Sequence, residues 1–236
     1  MNHNIHEILY NVILKYLRFY DKHAFKKLNK YTDKIKIEDL LNIEYKYRIL
    51  LDDKILKNYN CAIKLDASHD SKITDINHMV KLKELRAYGG RCGINDEGII
   101  NLTNLEILDV DYNTQITNIN HMTKLKELHS SESYGIDDEG LINLINLEIL
   151  DASGNPNITN INHMTKLKEI NASGMCGIND EGIINLKNLE ILNADDNSKL
   201  TDINHMTKLK ELHEYGTCGI TEEGIINLNN LAIYLT

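Results

Sequence analysis

The chain has 236 residues, of which 42% are hydrophobic, and a formal net charge of −9 at pH 7. That length allows a sizeable buried core, and the negative charge argues against a nucleic-acid partner, because phosphate backbones are held mainly by lysine and arginine. The first residues, MNHNIHEILYN, lack the basic region and cleavage site of a signal peptide, and no apolar run reaches the length of a membrane span. We therefore expect an intracellular protein, cytoplasmic or nuclear, with no membrane contact.

Residues 1–60 differ from the rest in charge, with 12 basic and 8 acidic side chains against 14 and 27 in residues 61–236. Asp21 is placed to cap a second helix that buries Phe25 and Leu28, and a third apolar series runs from Ile37 to Leu51. A first amphipathic helix is predicted by the spacing of Ile5, Ile8, Leu9, Val12, Ile13, Tyr16 and Leu17. The sequence predicts a small all-α segment at 1–36 and a helical connector or N-terminal cap at 37–60.

A family motif also runs through residues 1–36. Its elements are Glu7-Ile8-Leu9, Ile13-Leu14-Lys15-Tyr16-Leu17, Asp21 and Leu28-Asn29-Lys30-Tyr31. The segment resembles a degenerate F-box, in which Ile5-His6 replaces the early Leu-Pro and no Trp or Phe closes the motif. The Asn/Ile/Lys-rich composition is similar to that of F-box and repeat proteins of amoebae and giant DNA viruses.

The F-box resemblance implies a partner, the Skp-type adaptor of a cullin–RING ubiquitin ligase. The residues implied to bind it are Ile8, Leu9, Ile13, Leu14 and Leu17. We favour this interpretation, but a helical cap that shields the first repeat also accounts for the same apolar residues, and both can hold at once.

From about residue 61 the sequence is periodic. A thirteen-residue phrase, ITNINHMTKLKEL in its second copy, occurs at 73–85, 116–128, 158–170 and 200–212. Each copy is followed by a phrase such as GINDEGIINLTNLEIL, and both phrases share the skeleton Leu-x-x-Leu-x-small-x-x-Asn. The 42-residue unit is therefore two repeats of about 20 and 22 residues, within the range of leucine-rich repeats.

The skeleton predicts how each repeat folds. Leu128 and Ser130 stand two residues apart and so point to one side of a short strand, with Leu125 filling the space behind them. Asn113, Asn155 and Asn197 follow the strands, where a side-chain amide can bond backbone groups left unpaired by the bend. Asp70 holds this position in the first turn. Stacked turns would bury one continuous core.

These repeats resemble those of leucine-rich-repeat proteins. The ITDI-x-x-M-x-K-L-K-E-L phrase looks like the short repeats of internalins, and the GI-x-D-E-G-I-I-N-L phrase looks like repeats with a short outer helix. We expect an α/β leucine-rich-repeat solenoid over 61–236, a curved parallel sheet with short convex helices in about nine repeats, the last incomplete.

Repeated histidines, cysteines and acidic residues could suggest metal or acid–base chemistry. Equivalent residues one double repeat apart should lie about 10 Å from each other, too far to share a zinc ion or a disulfide. We therefore predict no metal, no cofactor, no catalytic residue and no enzymatic activity. The histidines (His78, His121, His163, His205) should bond the backbone, Cys92, Cys176 and Cys218 should be small apolar residues, and the acidic run at 137–139 should cap a helix.

Residues on either side of the inward leucines should form the concave face, hereafter the sheet face. Its first column, directly after each inward Leu or Ile, is Asp66, Arg86, Asp109, His129, Asp151, Asn171, Asn193 and His213. Its second column, two positions further on, is Ser68, Tyr88, Asp111, Ser131, Ser153, Ser173, Asp195 and Tyr215. With the glutamates that precede the leucines, the face carries nine carboxylates against Lys64 and Arg86.

The two columns vary while the repeat framework does not, as expected of a recognition surface. The acidic face favours a protein partner with a basic segment. The sequence thus predicts a protein-interaction module, either the substrate-recognition adaptor of a ubiquitin ligase or a stand-alone leucine-rich-repeat binding protein or decoy. It does not indicate an oligomeric state.

Overall fold

A computed structural model of the chain describes residues 39–41, 51–57 and 59–235. The predicted N-terminal helices, the F-box-like segment and the adaptor-binding residues Ile8, Leu9, Ile13, Leu14 and Leu17 lie outside these ranges. Among the described residues, none of the helices has the length and apolar character needed to cross a bilayer.

One parallel sheet of ten short strands runs through the described residues, and each strand pairs with the next along the chain. Equivalent residues are in register, so Leu85 lies beside Leu108, and Leu108 beside Leu128. The strands are β1 Asp39–Leu40, β2 Lys64–Asp66, β3 Glu84–Arg86, β4 Ile107–Asp109, β5 Glu127–His129, β6 Ile149–Asp151, β7 Glu169–Asn171, β8 Ile191–Asn193, β9 Glu211–His213 and β10 Ile233–Leu235. The predicted parallel solenoid is confirmed.

The described residues include five four-residue helices, of which the last four lie in the turns that carry the GI-x-D-E-G phrase or, in the last copy, GITEEG. They are α1 Asp53–Leu56, α2 Asp96–Ile99, α3 Asp138–Leu141, α4 Asp180–Ile183 and α5 Glu222–Ile225. The side chain of Asp137 accepts a hydrogen bond from the N–H of Gly140 at the start of α3. Asn95 and Asn179 cap α2 and α4 in the same way, which confirms the predicted capping role of the 137–139 run and its equivalents.

The core is a stack of the framework side chains, each repeat contributing the same set. Leu125, Leu128 and Ser130 are at most 1% exposed. Burial of one leucine stabilises a fold by about 1.5–3 kcal/mol, and no single turn could bury these residues without its neighbours. The continuous core therefore makes the sheet one rigid platform.

The asparagine after each strand bonds the backbone, as predicted. Asn155 is fully buried, and its Nδ2 donates to the carbonyls of Ser133 at 2.8 Å and Ile136 at 3.1 Å. Asn113 and Asn197 also donate two such bonds, to the carbonyls of Ala87 and Ile94 and of Ala172 and Ile178. Asp70 occupies this position in the first turn, where a carboxylate can accept but not donate. Its Oδ1 accepts from the N–H of Lys72, and its buried Oδ2 has no hydrogen-bond partner among the described residues.

The repeated histidines and cysteines have structural contacts. Nε2 of His121 lies 3.1 Å from the carbonyl oxygen of Ile99, and the other three histidines make the equivalent contact. Because a carbonyl only accepts, Nε2 carries the hydrogen there. Cys92 and Cys176 are free and buried, and burial raises the pKa of each thiol to about 11. Cys218 is half-buried.

The sheet begins earlier than the sequence indicated. Residues 39–40 fall in the segment predicted as a helical connector, but they form β1 and pair with β2, with Leu40 beside Leu65. Leu40 is only 3% exposed, so it extends the core stack by one more strand. Helical structure within the described part of 37–60 is limited to α1.

Candidate functional site

The sheet face consists of two columns of side chains that run the length of the sheet. Strand register places each first-column residue beside the next, from Asp66 and Arg86 through Asp109 and His129 to His213. Most of these side chains are partly accessible, and Asp66 is an exception at 5% exposure, where it accepts a hydrogen bond from the N–H of Ser68. The accessible part of the first column therefore begins at Arg86.

Cations and carboxylates alternate at the N-terminal end of the sheet face. Glu84 is nearly buried and lies between two cations, with its Oε2 at 2.8 Å from Nζ of Lys64 and its Oε1 at 3.6 Å from a guanidinium nitrogen of Arg86. The glutamate holds Arg86 on the face. Glu84 thus matches one of the two positive charges at this end of the face.

The middle of the sheet face is acidic. Asp109 ends β4, Asp111 follows two residues later, and Asp151 ends β6. These carboxylates therefore lie on either side of β5. Oδ1 of Asp111 accepts from the N–H of Ser131 at 2.7 Å, and Oδ1 of Asp151 accepts from the N–H of Ser153 at 2.9 Å. Burial, together with the nearby charge of Asp109, raises the pKa of Asp111 to about 6. Burial likewise raises the pKa of Asp109.

His129 lies between these carboxylates. Its Nε2 is 2.9 Å from Oε1 of Glu127. Burial alone would lower the pKa of His129, but the hydrogen bond and charge of Glu127, with the charges of Asp109 and Asp111, outweigh burial and raise it. His213 repeats the arrangement with Glu211 at 2.7 Å. A histidine and three aspartates therefore occupy the centre of the face, and the charges of Asp109, Asp111 and His129 affect one another's pKa.

The C-terminal half of the face is less charged. Asn171 donates from Nδ2 to Oδ2 of Asp151 at 3.3 Å, and Asn193 accepts from the N–H of Asp195. Asp195 in turn accepts from the N–H of Tyr215, whose side chain is 67% exposed. Amides, serines and one exposed aromatic ring follow the acidic centre here.

Lysines line the edge of the sheet at the start of the strands, outside the sheet face. Lys126, Lys168 and Lys210 pair with Glu106, Glu148 and Glu190 of the preceding repeat, at 3.3, 2.5 and 2.5 Å. Such exposed pairs contribute little stability, because water and salt screen their attraction. In these pairs, three of the basic charges of the repeats are matched by carboxylates outside the sheet face.

Sequence reasoning missed a third row of residues at the end of the strands, hereafter the rim. It consists of the residue after each second-column position: His69, Gly89, Tyr112, Glu132, Gly154, Gly174, Asp196 and Gly216. All eight have positive φ, from 51° at Glu132 to 95° at Gly89. Alignment of the repeats gives the signal that could have found it, because four of the eight are glycine and the others break the pattern.

Within the described ranges, no group of three or more His, Cys, Asp or Glu side chains is close enough to hold a metal ion. The arrangement is suited to binding a partner along an extended surface, through charge, amide hydrogen bonds and exposed rings.

Solved structures share this architecture. An internalin (inlF) from Listeria monocytogenes is 25% identical with a TM-score of 0.62, and the match covers 78% of this chain and 57% of that one. An internalin C2 (inlC2) from the same species is 28% identical, with a TM-score of 0.48 and coverage of 77% and 74%. The TLR13–ssRNA13 complex matches at 17% identity and a TM-score of 0.52, over 75% of this chain and 33% of that one.

No protein-family model matches the sequence, and no curated protein matches it. The chain spans just over half the length of the inlF internalin. The fold, taken with the inlF structure, is that of an internalin-like leucine-rich-repeat solenoid.

Proposed function

We propose that the protein is a protein-binding module whose sheet face takes a basic segment of its partner. The observation that carries the proposal is the acidic centre of the face, where Asp109, Asp111 and Asp151 flank His129 on a rigid sheet. Complementary charge steers association and aligns the partners. Solenoids of this kind offer extended surfaces for such contacts, and the neighbouring internalins share the architecture.

The test compares two triple variants of the full chain against an interactor found by proximity labelling. The first is Asp109→Asn, Asp111→Asn and Asp151→Asn, which removes the charges at the centre of the face. The matched control is Glu97→Gln, Glu139→Gln and Glu181→Gln, which removes three exposed charges in the first turns of α2, α3 and α4. We expect the first variant to lower affinity about tenfold or more at low salt, with the control near wild type. Equal binding by both variants would refute the proposal.

We further propose that residues 1–36 recruit a Skp-type adaptor, so that the solenoid presents its bound protein to a ubiquitin ligase. The support is the F-box-like order of Glu7-Ile8-Leu9, Ile13 to Leu17, Asp21 and Leu28 to Tyr31 in the sequence. In that role the chain itself does no chemistry, because it only holds a substrate close to the transferred ubiquitin.

The adaptor role is tested by pull-down of the full chain with a Skp-type adaptor. We expect binding, and its loss in Leu9→Asp with Leu17→Asp, while circular dichroism of the variant keeps the solenoid signal. Absence of binding by the wild-type chain would leave the competing class, a stand-alone binding protein or decoy without a ligase role. That outcome would not bear on the sheet face.

A further inference from the structure

The rim contains four residues with a side chain in a left-handed backbone conformation, which favours glycine. A left-handed backbone costs about 1–2 kcal/mol for a residue with a Cβ, and glycine avoids this cost at Gly89, Gly154, Gly174 and Gly216. Four other residues adopt it nonetheless, with φ of 57° at His69, 58° at Tyr112, 51° at Glu132 and 55° at Asp196.

Two of the four have a structural reason. Oδ1 of Asp196 accepts from the N–H of Thr217 at 2.9 Å, and so closes the bend of the next turn. The ring of His69 packs edge-on against Tyr88, with centroids 5.0 Å apart. The other two residues belong to a group with exposed rings. Tyr112 is 58% exposed, and Glu132 accepts a hydrogen bond from the hydroxyl of Tyr134, which is also exposed.

These two residues lie side by side. The register of β4 and β5 pairs Asp109 with His129, and Tyr112 and Glu132 follow at the same offset, one strand spacing of about 4.8 Å apart. Oη of Tyr134 donates to Oε2 of Glu132 at 2.6 Å, and the Tyr134 side chain is 51% exposed. The Glu132 carboxylate lies over Gly154, where a Cβ would be only 2.4 Å from Oε1.

We propose that Tyr112, Glu132 and Tyr134 form a subsite for the guanidinium group of a partner's arginine side chain. The inference rests on the proposed function, since it names the anchor that the acidic face would hold. An arginine side chain can contact all three residues at once, because its planar guanidinium stacks on aromatic rings and donates two hydrogen bonds to a carboxylate. Tyrosine and arginine are also enriched among the residues that contribute most of the binding energy at protein interfaces.

The position of the subsite supports the same chemistry. Tyr112 directly follows Asp111, so the rim continues the acidic centre of the sheet face rather than forming a separate surface. The hydrogen bond and charge of Glu132 raise the pKa of Tyr134. The position next to Asp111 and the negative charge of Glu132 both favour a cation over an anion or an apolar group.

The experiment titrates the full chain, labelled at its tyrosine rings, with two pentapeptides that differ in one residue. One is acetyl-Gly-Gly-Arg-Gly-Gly-amide, and the other carries citrulline, which has the shape of arginine without its charge. The ring signals of Tyr112 and Tyr134, assigned with Tyr→Phe variants, should shift with the arginine peptide and respond at least tenfold more weakly to the citrulline peptide. Equal response to both peptides would overturn the proposal. So would the absence of any shift at about 20 mM peptide, a concentration well above a weak dissociation constant of about 1 mM.

Variants add a second readout. We expect Tyr112→Ala, Tyr134→Ala and Glu132→Gln each to weaken binding of the arginine peptide at least fivefold. Ile142→Ala, which removes an exposed side chain just after α3 on the helix side of the solenoid, should leave it unchanged. If Ile142→Ala weakens binding as much as the rim variants do, the arginine is held elsewhere and the assignment is wrong.

Failure of the subsite and failure of the proposed function give different results. If the natural partner depends on Asp109, Asp111 and Asp151 but not on Tyr112, Glu132 and Tyr134, the sheet face binds and the subsite is wrong. If the rim prefers arginine over citrulline while the natural partner ignores the triple Asn variant, the subsite stands and the proposed function fails.

Discussion

Asp138, in the first turn of α3, accepts hydrogen bonds from Thr159 on the next turn of the solenoid, from the N–H at 2.7 Å and from the hydroxyl at 2.5 Å. Its Oδ1 also accepts from the N–H of Asn160 at 3.1 Å. The equivalent pairs are Asp53 with Thr74, Asp96 with Thr117 and Asp180 with Thr201. The repeated carboxylate that resembles acid–base machinery in the sequence therefore joins one turn to the next.

Removal of this link should destabilise the solenoid. We expect Asp138→Ala to lower the free energy of unfolding by about 1–3 kcal/mol, because three donors lose a charged acceptor. The neighbouring exposed Glu139→Gln should change it by no more than about 0.5 kcal/mol. Urea denaturation of both variants checks this, and similar effects from the two would contradict the structural role of Asp138.

The buried asparagines give a second stability prediction. Asn155→Asp keeps the shape of the side chain but removes both donated bonds and buries a charge, so we expect a loss of about 2–3 kcal/mol or more. Asp70→Asn makes the opposite change at a position whose Oδ2 is unpaired, and we expect no loss of stability. Thermal unfolding of the two variants separates these outcomes, and a destabilising Asp70→Asn would contradict the reasoning.

The acidic centre should make stability and binding depend on pH. The pKa of Asp111 in the folded state, about 6, lies above its ordinary value of 3.8, so the folded state binds the proton more tightly. The cost of ionising Asp111 is absent below about pH 4, grows between pH 4 and 6, and is complete above pH 6. We expect Asp111→Asn to be more stable than wild type by about 1 kcal/mol at pH 7.5, allowing for partial exposure, and equal to it at pH 4. A difference that does not change with pH would contradict this.

Binding should follow the same coupling. As pH rises from 5 to 7.5, Asp111 gains negative charge and His129, whose pKa is raised, loses positive charge. Both changes favour a basic partner, so affinity should increase over this range. The rise should be reduced in Asp111→Asn with His129→Gln, as measured by isothermal titration at fixed ionic strength. Affinity that falls with rising pH would indicate an acidic partner segment.

Glycine substitutions in the rim should weaken partner binding without lowering the free energy of unfolding. Tyr112→Gly and Glu132→Gly relieve the left-handed strain, so we expect stability unchanged or raised by up to about 1 kcal/mol, together with weaker partner binding. Gly174→Ala, which imposes the same strain where the added Cβ meets nothing closer than 3.8 Å, should lower stability and leave binding intact. A marked loss of stability in Tyr112→Gly would show that the tyrosine supports the fold instead.

Much of this structure could be predicted from the sequence, because the same pattern occurs four times and each copy supports the same inference. The spacing of Leu128 and Ser130 fixed which side of each strand is buried, and Asn155 marked the bend. The two-residue strand β1 could not be predicted, because Leu40 carries no periodic signal and is recognisable only by pairing with Leu65. The rim was missed for a different reason: a positive φ at Tyr112 or Glu132 leaves no mark in a sequence, and shows only where repeats that place glycine there are aligned.

The central claim is that a partner lies on the sheet face, and site-specific photo-crosslinking of the full chain tests it most directly. A photoreactive residue at Ser131 or Ser173, both in the second column, should crosslink to the partner. The same residue at Ile100 or Ile142, which follow α2 and α3 and are each 61% exposed, should not. Crosslinks from Ile100 and Ile142, with none from Ser131 and Ser173, would place the partner on the helix side of the solenoid and contradict the claim.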